Sequence, residues 1–347
     1  MKKRILIIVL TFLFAVPLAS GVDVKKPVKV FILAGQSNME GKAQMKLLDY
    51  QIKAPETKEL FKHLHKDGKY IERDDVWINF LKRKGKLTVG FGSPGRCGPE
   101  LEFGNTVGDY FDEQVLLIKA AWGGHSLFRN FRPPSAGLPS DEKLQEILEE
   151  TNKKNEKKNR PLVTMDDIKK AYGLSYRNMM KEINTTLSEL GTRFPEYKKQ
   201  GYEIAGFAWF QGFNDQWGDA PGEYASNMAH FIRDVRKDLK KPKLPFVIGA
   251  IGTTRSKPAK GGGLEVRNAQ MSMNDIPEFK GNVKAIRTDL LVDKNAERVY
   301  VGWKDHVEEW EKVGSDRPYH YLGSAIWYGR IGKELGKATI ELIKAGK

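Results

Sequence analysis

Three side chains of this sequence could together cleave an ester: a serine, a histidine and an acid. Ser37 follows the apolar run 28–34 and Gly35, so a sharp turn after a buried strand would hold its hydroxyl at the end of that strand. His320 lies far along the chain, and a neutral histidine can take the serine proton near neutral pH. Asp316 precedes this histidine by four positions and is the first candidate to orient its ring.

Ester cleavage also needs hydrogen-bond donors for the negative charge that develops on the former carbonyl oxygen. The backbone N–H of Ser37 is the first expected donor, since it belongs to the attacking residue. A second apolar run, 207–210, is followed by Gly212 and the polar pair Asn214 and Asp215. Open α/β folds place their active sites at the carboxyl ends of strands, so both runs indicate one site.

Four sequence blocks resemble the SGNH hydrolases, and more closely their sialate O-acetylesterase and acetylxylan esterase branch, carbohydrate esterase family six and its relatives. The resemblance spans residues 28–345. In many members of this branch the sequence is Gln-Gly-Glu where this chain has Gln211-Gly212-Phe213, so no role of that glutamate is carried over. In chain order, the four blocks are Gly35-Gln36-Ser37-Asn38-Met39, Gly98-Pro99-Glu100 with Phe103-Gly104, Ala121-Trp122-Gly123-Gly124-His125-Ser126-Leu127, and Gly212-Phe213-Asn214-Asp215.

The resemblance implies the composition of the oxyanion hole. Asn214 would supply a side-chain amide beside the Ser37 N–H, and a glycine of a neighbouring block would supply a further backbone N–H. Gly98 and Gly124 are the two candidates for that glycine.

The acid of the site is the least defined residue. In SGNH enzymes it usually precedes the histidine by three positions, whereas Asp316 precedes His320 by four. Asp305 and Asp215 are therefore alternatives to Asp316.

Four further side chains are candidates for substrate contact. Gln36 and Gln211 would contact the acyl group or brace the loops, His125 follows two glycines after a strand, and Trp217 could stack on a sugar ring. No metal or other cofactor is expected, because the six histidines lack a His-Glu-x-x-His spacing and Cys97 is the single cysteine.

The start of the chain has the pattern of a secretory signal peptide. Residues 1–21 combine a basic start with a short apolar core and small residues for cleavage near Gly21, which leaves one esterase domain over 22–347. The apolar run is short for a membrane span, so we expect no stable membrane insertion after cleavage and a periplasmic or secreted protein.

The formal net charge is +14 for the 347 residues, and +11 without residues 1–21, which carry three basic and no acidic residues. Such a charge could steer acidic glycans towards the protein. The basic residues are scattered and form no recognised nucleic-acid module, so nucleic acid is not an expected partner.

The alternation of strand and helix patterns predicts a mainly parallel sheet with helices on both faces. The resemblance implies the three-layer α/β/α, flavodoxin-like fold of SGNH hydrolases. Two long insertions, 42–93 with a hairpin strand at 75–80 and 129–171 with a charged helix near 140–152, are expected to contact substrate. Core strands are predicted at 28–34, 114–120, 204–210, 244–250 and 283–288, and helices around 100–111, 171–191, 223–239 and 322–344.

These features predict an exported serine esterase that removes O-acetyl groups from carbohydrate through an acetyl-enzyme on Ser37. Its partner would be an acetylated carbohydrate; neither the glycan nor the oligomeric state is predicted. Two alternatives remain: a general short-acyl or lipid esterase of the SGNH group, and a catalytically silent glycan-binding protein.

Overall fold

The structure is a computed structural model that describes residues 26–252 and 257–346. Its strands are β1 (Val28–Gly35), β2 (Ala43–Gln44), β3 (His65–Lys66), β4 (Lys69–Tyr70), β5 (Arg73–Phe80), β6 (Arg83–Leu87), β7 (Arg96–Cys97), β8 (Val115–Ala121), β9 (Tyr202–Phe210), β10 (Phe246–Ala250) and β11 (Val283–Arg287). Seven of them form the central sheet of the described chain, in the order β11-β10-β9-β1-β8-β5-β6. All neighbours are parallel except β5 and β6, which form an antiparallel hairpin.

Helices cover both faces of this sheet. They are α1 (Ser37–Glu40), α2 (Met45–Gln51), α3 (Lys58–Phe61), α4 (Glu100–Gly108), α5 (Asp141–Glu156), α6 (Met165–Ala171), α7 (Leu174–Ser188), α8 (Leu190–Arg193), α9 (Ala220–Asp238), α10 (Gly261–Met271), α11 (Lys294–Tyr300), α12 (Val307–Trp310) and α13 (Ala325–Ala345). α4 and α13 pack on one face, and α7, α9 and α10 pack on the other. This three-layer α/β/α arrangement confirms the predicted fold class.

Strand β1 shows why the sheet is buried on both faces. Val30, Ile32 and Ala34 belong to the core beneath α7 and α9, whereas Phe31 and Leu33 belong to the core beneath α4 and α13. None of the five is more than 1% exposed. Because alternate side chains of a strand point to opposite faces, an uninterrupted apolar run is what two covered faces require. Each large side chain buried in this way contributes ~1.5–3 kcal/mol.

The five predicted core strands are all confirmed, but the first insertion is more than a surface addition. Its strand β5 joins the central sheet, parallel to β8, with Val76 opposite Val115 and Phe80 opposite Lys119. Trp77 stacks on Phe194 with ring centroids 5.0 Å apart. The segment is buried on both sides, which makes it a sheet strand with β6 as its hairpin partner.

The predicted helices are present with shifted ends. α13 begins at Ala325 because the Ser324 side chain caps it by accepting a hydrogen bond from the Trp327 N–H. The charged helix of the second insertion is α5, capped by Ser140.

Helix α10, which begins with the three glycines 261–263, was not predicted. A Cβ at Gly262 would lie 2.1 Å from the Gln216 carbonyl oxygen, so close packing explains glycines that have low helix propensity.

The predicted signal peptide, residues 1–21, lies outside the described residues, and the boundary at residue 22 stays a prediction. Within residues 26–252 and 257–346, none of the helices combines the length and apolar character that crossing a bilayer requires.

Candidate active site

A cavity of about 300 Å³ lies at the carboxyl ends of β1, β8 and β9. The chain places β8 on one side of β1 and β9 on the other, so the cavity lies at the switch point where open α/β sheets bind ligands. Larger cavities of about 690 and 820 Å³ lie elsewhere on the fold and contain neither Ser37 nor His320. The small cavity is lined by Ser37, Asn38, Lys42, Gly123, Gly124, Phe213, Asn214, Tyr319 and His320.

The turn after β1 places Ser37 in this cavity. Gly35 has a φ of +154°, and a Cβ there would lie 2.1 Å from the carbonyl oxygen of Phe210 on β9. Only glycine allows β1 and β9 to approach so closely at this point. The Gln36 N–H donates to that same Phe210 oxygen, and Ser37 then begins α1 with 6% of its surface exposed.

His320 joins the serine to an acid. Its Nε2 lies 2.9 Å from Ser37 Oγ and its Nδ1 lies 2.8 Å from Asp316 Oδ2. With the ring proton on Nδ1, Nε2 accepts from the serine hydroxyl, which is the arrangement a general base needs. Of the three acids considered from the sequence, Asp316 is the one that hydrogen-bonds His320.

A left-handed turn explains why four positions, and not three, separate Asp316 from His320. His320, Tyr321 and Leu322 have φ values of 51°, 54° and 59°. The Leu322 carbonyl then accepts from the N–H groups of Ser315 and Asp316, at 2.9 and 3.1 Å, and closes the loop that carries both groups. Non-glycine residues in this conformation cost free energy and cluster at functional sites.

The surroundings keep Asp316 ionised. Burial alone would raise the pKa of its carboxyl group. The hydrogen bond from His320 and its charge, together with the Arg317 N–H and the nearby Arg96 guanidinium, outweigh burial and lower that pKa below its usual value.

The two alternative acids lie elsewhere. Asp305 ends a short turn in another loop, where its N–H donates to Gly302. Asp215 is fully buried and accepts hydrogen bonds from the N–H groups of Leu127 and Phe128 and from Gln211 Nε2. Burial raises the pKa of Asp215 to about 6, against the effect of these donors. It therefore holds the loop after Gly124 against the loop after β9.

A buried chain of amides fixes the orientation of Asn214. The Oε1 of Gln36 accepts from the backbone N–H groups of Gly212 and Asn214, each at 3.2 Å, and from Gln211 Nε2 at 3.1 Å. Backbone N–H groups can only donate, so this atom of Gln36 must be the oxygen. Gln36 Nε2 then donates to Asn214 Oδ1 at 2.9 Å. This bond uses the oxygen of the Asn214 amide and not its Nδ2 hydrogens, and Asn214 lines the cavity.

This network favours one of the two roles expected for Gln36 and Gln211. Gln36 and Gln211 are 1% and 0% exposed and do not line the cavity, so they brace the loops and are not positioned to contact substrate. Gln211 Nε2 also donates to the His125 carbonyl, and its Oε1 accepts from the Tyr224 hydroxyl at 3.0 Å.

Only one of the two oxyanion-hole glycines lies at the cavity. Gly124 lines it and has a φ of +78°, which favours glycine. Gly98 does not, and naming it as a candidate was wrong: its N–H donates to Glu100 Oε1 at 2.9 Å, and a Cβ there would lie 2.4 Å from Gly41 Cα. Gly98 therefore packs two loops together.

Aromatic side chains form an exposed rim at the cavity. Phe213 contacts both Trp217 and Tyr319 edge-on, with ring centroids 5.2 and 5.5 Å apart. Trp217 is 60% exposed and Tyr319 is 49% exposed. Of these rings, Trp217 alone was predicted from the sequence; Tyr319 adjoins His320 in the chain, which was the available signal for it.

His125 lies beyond Gly124, with its Nδ1 2.7 Å from Ser175 Oγ. Partial burial lowers the pKa of its imidazole, although the Glu40 carboxylate acts in the opposite direction. It is not among the residues that line the cavity, so substrate contact by His125 stays a prediction.

A buried lysine beneath the site was missed by sequence analysis. Lys119 is fully buried in β8, and its Nζ donates to the carbonyls of Glu40 and Phe91 and to Glu100 Oε2, at 2.9, 2.7 and 2.8 Å. These bonds join the end of α1 to the loop at Phe91 and to the start of α4. A charged residue inside the apolar run 115–121 was the available signal.

The fold is a three-layer α/β/α sandwich, and Ser37, His320 and Asp316 form one hydrogen-bonded series at the carboxyl end of its sheet. A sequence profile of the family described as "Carbohydrate esterase, sialic acid-specific acetylesterase" matches residues 27–299. The chain belongs to this family, which makes it a carbohydrate acetylesterase and confirms the resemblance seen in the sequence. The matched stretch ends before Asp316 and His320.

Two solved structures share the fold. One is a protein from Arabidopsis thaliana, with 17% identity and a TM-score of 0.51, covering 90% of this chain and 98% of that chain. The other is a carbohydrate acetylesterase from Xanthomonas citri, with 14% identity and a TM-score of 0.50, covering 92% of this chain and 57% of that chain. A search of curated proteins found no match.

Proposed function

We propose that the protein is a serine esterase that removes O-acetyl groups from carbohydrate through an acetyl-enzyme on Ser37. The observation that carries the proposal is the hydrogen-bonded series Ser37–His320–Asp316 in a cavity of a carbohydrate esterase family member.

The reaction has two halves. Ser37 Oγ attacks the acetyl carbonyl carbon while His320 Nε2 takes the hydroxyl proton, and Asp316 stabilises the charged ring. His320 then gives the proton to the sugar oxygen as the C–O bond breaks, which leaves the acetyl group on Ser37. A water molecule, deprotonated by the same histidine, then attacks the acetyl carbon. His320 returns this proton to Ser37 Oγ as the bond between Oγ and the acetyl carbon breaks, and acetate leaves.

Donors around the cavity would stabilise the oxyanion in both halves. Asn214 Nδ2 is oriented for this by Gln36, and the N–H groups of Ser37 and Gly124 are the proposed backbone donors. Loss of one such donor typically costs ~100–1000-fold in rate.

The exposed rim supports a sugar as the leaving group. Trp217, Tyr319 and Phe213 present aromatic rings beside a cavity of about 300 Å³, which has room for a small acyl group. We propose Trp217 and His125 as contacts to the glycan.

Replacement of the serine tests the proposal. Ser37→Ala should abolish release of acetate from 4-nitrophenyl acetate and from a panel of acetylated glycans, while circular dichroism stays unchanged. Ser135→Ala is a matched control, because Ser135 Oγ lies 2.8 Å from His230 Nδ1 away from the cavity, and it should keep parental activity. Activity of Ser37→Ala within a few-fold of the parent would refute the serine mechanism.

We also propose export. The basic and apolar pattern of residues 1–21 supports it, and N-terminal sequencing of the protein from the periplasm or culture medium should begin near residue 22. A mature protein that retains residue 1 would contradict cleavage.

A further inference from the structure

Lys42 lines the cavity but has no part in the proposed reaction. The other polar side chains among the lining include the nucleophile, its base and the oxyanion donor Asn214. The ammonium group of Lys42 at the wall of so small a cavity suggests a role in binding part of the substrate.

Lys42 belongs to a closed hydrogen-bonded set. Its Nζ lies 3.1 Å from Glu40 Oε2 and 2.6 Å from Ser93 Oγ, and Ser93 Oγ donates to Glu40 Oε1 at 2.7 Å. The side chains of Lys42 and Glu40 are 15% and 20% exposed, so both still meet solvent. Within the described residues these bonds use two of the three Lys42 donors and leave lone pairs free on the carboxylate.

Gly123 places this set beside the nucleophile. A Cβ at Gly123 would lie 3.2 Å from Glu40 Oε2 and 3.8 Å from Ser37 Cβ, so the carboxylate and the serine both border the space that a side chain at this position would fill. Gly123 is not in the left-handed region, and its backbone would accept other residues. The absence of a side chain at Gly123 leaves open space beside both Glu40 and Ser37.

We propose that Glu40 and Lys42 form a subsite for two neighbouring free hydroxyl groups of the sugar whose acetyl group meets Ser37. Lys42 donates to one hydroxyl oxygen, and Glu40 accepts from the adjacent hydroxyl. An ion pair with one donor and one acceptor side by side suits a diol, whereas the Glu40 carboxylate repels a carboxylate placed there. The subsite rests on the proposed function and adds the sugar feature that is recognised.

The test compares esters that differ in hydroxyl groups. The probes are a mono-O-acetylated methyl glycoside with free neighbouring hydroxyls, its per-O-acetylated counterpart, and 4-nitrophenyl acetate. Lys42→Met should raise KM for the mono-acetylated glycoside ~10–100-fold, the effect of losing a charge-assisted hydrogen bond. The ratio of its kcat/KM to those of the other two esters should fall by the same factor. Glu40→Gln, which keeps the side-chain shape, should act in the same direction.

Lys62→Met is the matched control, because Lys62 Nζ also lies 3.1 Å from a glutamate oxygen, that of Glu59, but on the exposed surface. It should leave both ratios at the parental value. Equal losses on all esters in both subsite variants would mean that the set only braces the loops, and would overturn the subsite alone. A parent enzyme that cleaves 4-nitrophenyl acetate but no mono-acetylated glycoside would also overturn the subsite, whereas a parent without any esterase activity would overturn the proposed function as well.

Discussion

Replacing Gln36 by glutamate should slow the enzyme strongly, although Gln36 itself does not line the cavity. Gln36 donates through Nε2 to Asn214 Oδ1 at 2.9 Å, and this bond decides which end of the Asn214 amide faces the cavity. In Gln36→Glu the new side chain keeps the acceptor for Gly212 and Asn214 N–H but has no donor. The Asn214 amide should turn over to donate to the new carboxylate.

The expected loss of kcat depends on which atom of the reoriented Asn214 amide faces the cavity. Its oxygen, instead of its two N–H donors, would then face the developing oxyanion. Loss of one oxyanion donor costs ~100–1000-fold in kcat, or ~2.7–4 kcal/mol. Since the ground-state carbonyl depends less on that donor than the transition state does, KM for acetate esters should change little.

Steady-state kinetics on 4-nitrophenyl acetate measures this, for Gln36→Glu, Asn214→Ala and the double variant. If Gln36 acts through Asn214, the double variant should be no slower than Asn214→Ala alone. Gln114→Glu is the control for a carboxylate introduced at a buried glutamine, because Gln114 is 5% exposed at the opposite end of the sheet. Its kcat should remain parental.

Two results would refute this reasoning. A kcat of Gln36→Glu within threefold of the parent would mean that the Asn214 amide does not depend on Gln36. Fully additive losses in the double variant would mean that the two residues act separately, and that Gln36 only supports the loop.

Three further predictions concern the acids and the acyl group. Asp316→Asn should lower kcat by as much as ~10⁴-fold through loss of tautomer control, and a mild effect in the same assay would assign the acid elsewhere. Burial raises the pKa of Asp215 from 3.8 to about 6, so the folded protein retains a proton between these pH values and its stability falls by ~3 kcal/mol as pH rises through them. Urea unfolding should therefore show a larger stability advantage of the parent over Asp215→Asn at pH 4 than at pH 7, and equal advantages would contradict the raised pKa. Acetate esters should be cleaved at least an order of magnitude more efficiently than octanoate esters, ~1.4 kcal/mol in transition-state binding, and equal cleavage of octanoate would favour the lipid esterase.

The fold could be predicted largely from sequence because its signals are local. Apolar runs such as 115–121 mark strands buried on both faces, and Gly35 marks the turn that follows β1. Strand β5 was harder to place, because a run that is apolar on both sides does not say which strand it pairs with. Its place next to β8 depends on packing such as the stacking of Trp77 on Phe194, which lies more than a hundred residues away in the chain.

The chemistry of the site could be predicted in part. Residue types indicated Ser37 and His320, but the choice of acid required the left-handed turn at 320–322, which no spacing rule anticipates for residues other than glycine. The error at Gly98 has a similar origin, since a backbone N–H looks the same in sequence whether it faces a cavity or a glutamate side chain.

The glutamines show how buried polar atoms can determine the chemistry of an exposed one. Gln36 and Gln211 lie 175 residues apart in the chain, and their side chains bond each other at 3.1 Å where β1 and β9 end. Gln36 Oε1 accepts from three donors and Gln36 Nε2 donates to one oxygen, so reversing this amide would place a donor against three donors and an acceptor against an acceptor. Such a network permits one orientation, so the direction of the Asn214 amide is set before any substrate binds. A donor such as Asn214 Nδ2 that is oriented in advance needs no reorganisation as charge develops on the oxyanion. For this reason we expect the buried side chain of Gln36 to affect the reaction rate although it does not contact the substrate.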